Sequence, residues 1–287
     1  MYYSCRNEGD TMAIKIVCDS SANVYEMENV PCISVPLKII CGGREFVDDA
    51  SLDTLDMTEF LKKTKDRSST SCPNVQDWLG AFEGADEVYA VTITSNLSGS
   101  YAACMQAARE YEENHPGARV CVLDSLSTGP EMHLIMEKLR EHIAEKLSFE
   151  QIKEKIKDYM QRTHLLFSLQ SLTNLARNGR VSPAVAKISE VLGIRVVGAA
   201  SDVGTLQPLH KVRGEKKALS ALLSEMLKRG YEGGKMRIAH CQNELSAKAL
   251  AGMIREKFPH SSIEIRPCGG LCSFYAEIGG LLVGFEG

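Results

Sequence analysis

The run Val88-Tyr89-Ala90-Val91-Thr92-Ile93 is strand-like, and polar residues follow it at once: Thr94-Ser95-Asn96-Leu97-Ser98-Gly99-Ser100. Beyond them, Tyr101-Ala102-Ala103-Cys104-Met105-Gln106-Ala107-Ala108-Arg109 is helix-like. The polar stretch therefore lies where a parallel-sheet strand would end and a helix would begin. Open α/β sheets bind ligands outside the carboxyl ends of their strands. Ser98 reads as the helix N-cap, and its small neighbours let a ligand approach the backbone. Unpaired N–H groups and the positive end of the helix dipole make such a turn a cradle for a carboxylate or phosphate. A capped turn that binds nothing accounts for the same residues.

Two other expected strands stop in the same way. Residues 13–18 end in Asp19-Ser20-Ser21, and residues 119–123 end in Asp124-Ser125, with Ser127 close behind. Three such ends predict one polar wall along one edge of one sheet. Residues 33–40 read as a further strand, which Pro36 pushes to an edge or a bulge. Gly42-Gly43 reads as a turn and 57–63 as a short helix. Ser68-Ser69-Thr70-Ser71-Cys72-Pro73-Asn74 reads as a hydroxyl-rich loop, with Asn74 able to cap a helix over 75–82. Helical spacing runs through 131–145 and 149–160, the latter capped by Ser148.

After residue 163 the pattern resumes with strand 164–168 and helices 169–177 and 184–192. Strands 194–197 and 205–212 flank a turn at Asp202-Val203-Gly204. Helix 215–229, strand 236–241, helix 245–258 and strands 262–266 and 281–285 close the chain. Strands alternating with helices in both halves predict an α/β fold. We expect two α/β domains, 1–163 and 164–287, the first a Rossmann-like parallel sheet.

Composition narrows the function. The chain has 287 residues, 44% of them hydrophobic, which suffices for a sizeable core. A net charge of −4 argues against nucleic acid or an anionic membrane as the main partner. No run is apolar enough to span a bilayer, and residues 1–10 lack a signal-peptide core, so integral membrane insertion is not expected and a cytoplasmic protein is. Ten cysteines do not make a disulfide scaffold; Cys18, Cys121 and Cys241 sit in apolar runs and read as small buried hydrophobes. Cys268 and Cys272 lack the spacing and partners of a zinc site, so no metal is expected.

No dinucleotide fingerprint, Walker loop or Gly-x-Ser-x-Gly elbow occurs, so no cofactor is expected. The seven histidines fall mostly in helix or strand contexts, and His240 reads as a packed core residue rather than a base. His210-Lys211-Val212-Arg213, with Arg180, would suit a phosphate or an acidic partner, or is an ordinary solvated strand end.

Taken as an ordered set, Asp19-Ser20-Ser21, Thr70-Ser71-Cys72-Pro73-Asn74, Ser95-Asn96-Leu97-Ser98-Gly99-Ser100-Tyr101 and Asp124-Ser125 resemble the DegV family. Leu172 through Asn178-Gly179-Arg180, and Arg213 ahead of a lysine-rich helix, extend the resemblance from about Ala13 to Gly287. It implies a long-chain fatty acid in a slot between two α/β domains, no chemistry of the protein's own, and a separate fatty acid kinase as partner. It also implies that Thr70, with Ser71 beside it, and Ser98, with Ser95 close by, hold the carboxylate. Arg180 and Arg213 would form the partner-docking or phosphate-contact surface. Many members carry a histidine where Tyr275 stands here; a phenol donates one hydrogen bond and stays neutral at pH 7. Glu277 would repel a carboxylate if it faced the slot. The rival reading is an enzyme acting on a small carboxylate or phosphate at the Ser98 helix start.

Overall fold

The computed structural model describes residues 12–64, 66–186 and 193–287. In the first half, β1 (Ile14–Asp19) leads to β2 (Cys32–Val35), β3 (Lys38–Cys41) and β4 (Arg44–Val47). Helix α1 (Thr54–Lys63), strand β5 (Ser68–Ser71) and helix α2 (Val75–Phe82) follow. Next come β6 (Glu87–Thr92), α3 (Ser100–Asn114), β7 (Arg119–Asp124), α4 (Pro130–Ala144) and α5 (Phe149–Met160). The second half starts with β8 (Thr163–Leu169), α6 (Thr173–Arg177), α7 (Pro183–Ala186), β9 (Ile194–Ala200) and β10 (Leu206–Arg213). It ends with α8 (Glu215–Lys228), β11 (Lys235–His240), α9 (Glu244–Lys257), β12 (Ser262–Pro267), α10 (Gly270–Ala276) and β13 (Leu281–Glu286).

Strands β2-β1-β6-β7 form a parallel sheet in that order. Alternate residues of its strands feed opposite cores. Ile16, Tyr89 and Val91 pack against α4 and α5, while Val17, Val88 and Ala90 pack against α2 and α3. This two-sided burial leaves β6 buried along its whole length, with an apolar middle at Val88–Val91. The second sheet has six strands, β10-β9-β8-β13-β11-β12, and within it only β11 and β12 pair in parallel. Helix alternation in the second half thus accompanies a largely antiparallel sheet, because β8, β9 and β10 meander and β13 returns between β8 and β11.

Helix α4 is buried from Pro130 through Glu137, acidic residues and His133 included, rather than on one stripe. It lies against strands of both large sheets. Its first turn presses on β13 at Gly284, where a Cβ would meet the Glu131 nitrogen at 2.5 Å. Polar positions on a helix so placed need partners, and Glu137 has one in a bidentate bond from Arg237.

Several expectations shift. The strand expected over 33–40 breaks at Pro36 into β2, an edge of the parallel sheet, and β3, the middle of a three-stranded antiparallel sheet β4-β3-β5. A proline has no N–H for a ladder, so one continuous strand is not built there. The hydroxyl-rich loop is in part strand: Thr70 pairs with Ile39 in β5. Only 173–177 of the helix expected over 169–177 is helical, since Leu169 completes β8. Of the helix expected over 184–192, residues 187–192 lie outside the described residues. Asn74 and Ser148 do cap α2 and α5, each in a capping box.

Candidate functional site

A cavity of about 290 Å³ opens at the carboxyl end of the parallel sheet, between it, the small sheet, α10 and β8. Its polar end is made by three chain segments. Thr70 and Ser71 come from β5, Leu97, Ser98 and Gly99 from the turn ahead of α3, and Tyr275 from α10. Thr70 Oγ1 and the Tyr275 hydroxyl are 2.7 Å apart. Burial pushes the Tyr275 phenol up, while the Thr70 hydrogen bond and Arg180 oppose the shift. The phenol therefore keeps its proton and is able to donate it in a hydrogen bond. Thr128 and Arg180 also line it, and most of the remaining wall is apolar, including Ile93, Leu165, Phe167, Leu169, Leu271 and Leu282. Leu165, Phe167 and Leu169 are alternate residues of β8 and present one greasy face to the cavity.

Internal bonds hold these segments in place. The buried Asp19 carboxylate accepts from Ile93 N at 2.9 Å and Ser100 Oγ at 2.6 Å, so it pins both ends of the Ser98 turn. Its own turn is closed by bonds from Ser21 N and Ser21 Oγ. Burial raises the Asp19 pKa, and the hydrogen bonds from Ser100, Ser21 and Ile93 work the other way. Asp48 plays the matching part for α10. It accepts from Gly270 N at 2.6 Å and Leu271 N at 2.9 Å, capping that helix from 222 and 223 residues away. A Cβ on Gly270 would meet Asp48 Oδ1 at 2.8 Å, so glycine permits this close approach. No local side chain caps the start at Gly269-Gly270, which is why α10 and the capping role of Asp48 are not legible in the sequence. The glycine pair ahead of an apolar run was the available signal.

The expected polar wall exists as backbone geometry, since β1, β6 and β7 are neighbours and parallel. Most of its hydroxyls are engaged internally. Ser20 Oγ accepts from Leu37 N, Ser21 Oγ donates to Asp19, and Ser125 Oγ donates to Ser127 O. Ser95 is exposed and is absent from the cavity wall; its backbone N–H is held by Asp124. Ser98, expected as the N-cap of α3, sits one residue ahead of it: the N-cap is Gly99, and Ser98 Oγ accepts from Ser100 N at 3.2 Å.

Arg180 reaches the cavity itself. Its Nε donates to Leu97 O at 3.1 Å and its guanidinium lies 6.0 Å from the Tyr275 ring centroid. Arg213 is not brought to it: Leu206 at one end of β10 lines the cavity, and Arg213 is exposed at the other end, roughly 20 Å along the strand. Glu277 does not line the cavity, because its carboxylate accepts from Asn174 N at 3.0 Å.

Among the described residues no histidine lines this cavity. Cys268 and Cys272 are buried in an apolar cluster, and burial pushes the Cys272 thiol up to about 12. Among the described residues, one group of side chains has the spacing for a metal, His133, Glu137 and Glu264, away from the cavity. There Arg237 and Lys235 already neutralise Glu137. What the cavity offers chemically is binding: neutral donors and one cation at a polar end, and apolar surface beyond.

A family model described as "Uncharacterised protein, DegV family COG1307" matches residues 13–286. A DegV domain-containing protein of Streptococcus pneumoniae (strain ATCC BAA-255 / R6) is 44% identical over 279 residues, 96% of this chain and 99% of the relative. A DegV family protein from Eubacterium eligens, solved loaded with heptadecanoic acid, superposes with a TM-score of 0.93 at 46% identity, covering 96% of this chain and 99% of that one. The Streptococcus pneumoniae fatty acid kinase (Fak) B3 protein, loaded with linoleic acid, superposes with a TM-score of 0.94 at 44% identity and the same coverage.

Proposed function

This chain belongs to the DegV family, and we propose that it binds a long-chain fatty acid and presents it to a separate fatty acid kinase. One observation carries the reading: the cavity joins the Thr70–Tyr275 hydroxyl pair at one end to the apolar face of β8. The carboxylate would take hydrogen bonds from Thr70, Ser71, Ser98 and Tyr275. Such charge-assisted bonds are stronger than neutral ones, and burying the anion without them would be prohibitive. The amino end of α3 adds up to about 1 kcal/mol, and Arg180 adds a positive charge. Each buried methylene is worth about 0.8 kcal/mol, so a sixteen-carbon tail contributes on the order of 10 kcal/mol before ordering costs.

The same reading places the ligand between domains 1–163 and 164–287, in a cytoplasmic protein without chemistry of its own. The kinase would supply the chemistry. Arg213, exposed and remote from the cavity, stays available to a docking partner or a phosphate, whereas Arg180 serves the head of the ligand. The rival enzyme reading draws no support from Ser98, whose oxygen is bonded to a backbone N–H.

Native mass spectrometry of the freshly purified protein tests this. A bound mass equal to a long-chain fatty acid is expected, with a rise in Tm when palmitate or oleate is added to stripped protein. An empty protein that shows no shift with either acid would overturn the reading.

A further inference from the structure

The cavity has a larger neighbour. A second cavity, of about 600 Å³, lies beyond Leu165, which forms part of the wall of both. On β8 the next residue of the same face is Thr163, and it lines the second cavity. One strand face thus floors both spaces, and its character changes along the way. Leu169, Phe167 and Leu165 are apolar, and beyond them the wall includes Thr163, Glu131, Gln161 and Ser201.

Glu131 and Thr163 are both buried, and Thr163 Oγ1 donates to Glu131 Oε1 at 2.9 Å. Burial raises the Glu131 carboxyl to about 7, so near neutrality it is able to offer a proton as well as accept one. Val122, Leu123, Leu126, Met160 and Ala200 line the same chamber, so a plain alkyl tail that passes Leu165 still buries apolar surface there but leaves Glu131 and Thr163 unused. A tail bearing a hydroxyl would otherwise lose its water without replacement, and here it finds partners.

We propose that the second cavity receives the distal end of a hydroxylated long-chain acid, with Glu131 and Thr163 bonding the tail hydroxyl. The proposal rests on the fatty-acid reading and names a substrate class for it.

The test is titration of the lipid-stripped full chain with stearic acid and with ω-hydroxystearic acid. The two affinities are expected to agree within about tenfold, because the tail hydroxyl exchanges water for protein partners. In Glu131→Leu/Thr163→Val, the ω-hydroxy acid should weaken at least about tenfold while stearic acid changes by less than about threefold. If that pair of changes unfolds the chain, Thr163→Val alone carries the comparison, with about threefold discrimination expected. Tight stearic acid binding with the ω-hydroxy acid more than about tenfold weaker in the parent overturns the proposal and leaves the fatty-acid reading standing. A variant that treats both acids alike also overturns it. If neither acid binds the parent, both readings fall together.

Discussion

The turns that follow β1 and β6 look alike as text, Asp19-Ser20-Ser21 and Ser95-Asn96-Leu97-Ser98, yet they do different work. The first is buried and closed: Ser20 serves Leu37, Ser21 serves Asp19, and Asp19 reaches across to Ile93 and Ser100. The second is the object that Asp19 holds, and it leaves Ser98 at a cavity wall. Hydroxyls at a strand end therefore do not make a binding site by themselves. Their remaining bonding capacity and their access to a cavity decide it.

Substitutions can break this contrast. Asp19→Ala should have the largest effect, since it strands Ile93 N and Ser100 Oγ in the interior. A loss of about 3 kcal/mol is expected, read as a Tm lower by on the order of 10 °C in the ligand-free protein. An unchanged Tm would show that the closed turn is not structural. Thr70→Val combined with Ser98→Ala should behave in the opposite way. Fatty acid affinity should fall on the order of 100-fold by titration, while the ligand-free Tm moves by no more than about 5 °C.

Tyr275→Phe sharpens the open side alone. Removing one donor should weaken a fatty acid by about tenfold, and equal binding would mean that the phenol only orients Thr70. Ser95→Ala should have the smallest effect, with affinity held within about twofold and stability within about 0.5 kcal/mol, because its side chain is exposed and outside the cavity. A clear loss of binding there would restore Ser95 to the site.

The parts of the site that could be read in advance are those written in adjacent residues. Thr70, Ser71 and Ser98 lie in short polar segments beside apolar runs, and the helix that follows Ser98 declares itself. Tyr275 was named through family resemblance alone, and its bond to Thr70 spans 205 residues. The apolar wall was hidden because Leu165 and Phe167 read as any buried strand and Leu169 read as the start of a helix. Arg180 was expected on a docking surface beside Arg213, and the fold separates them by turning β10 away from the cavity. Glu277 was a threat to the ligand only until Asn174 was seen to hold it.

Local order was therefore set by the sequence itself: apolar runs long enough for buried strands, caps at Asn74 and Ser148, and the break at Pro36, all of which act over a few residues through sterics and hydrogen bonding. Tertiary structure alone decided which polar groups are spent and which stay open. Asp19, Asp48 and Glu277 find partners 74 to 223 residues away, and a side chain's free bonding capacity exists only once those partners have arrived.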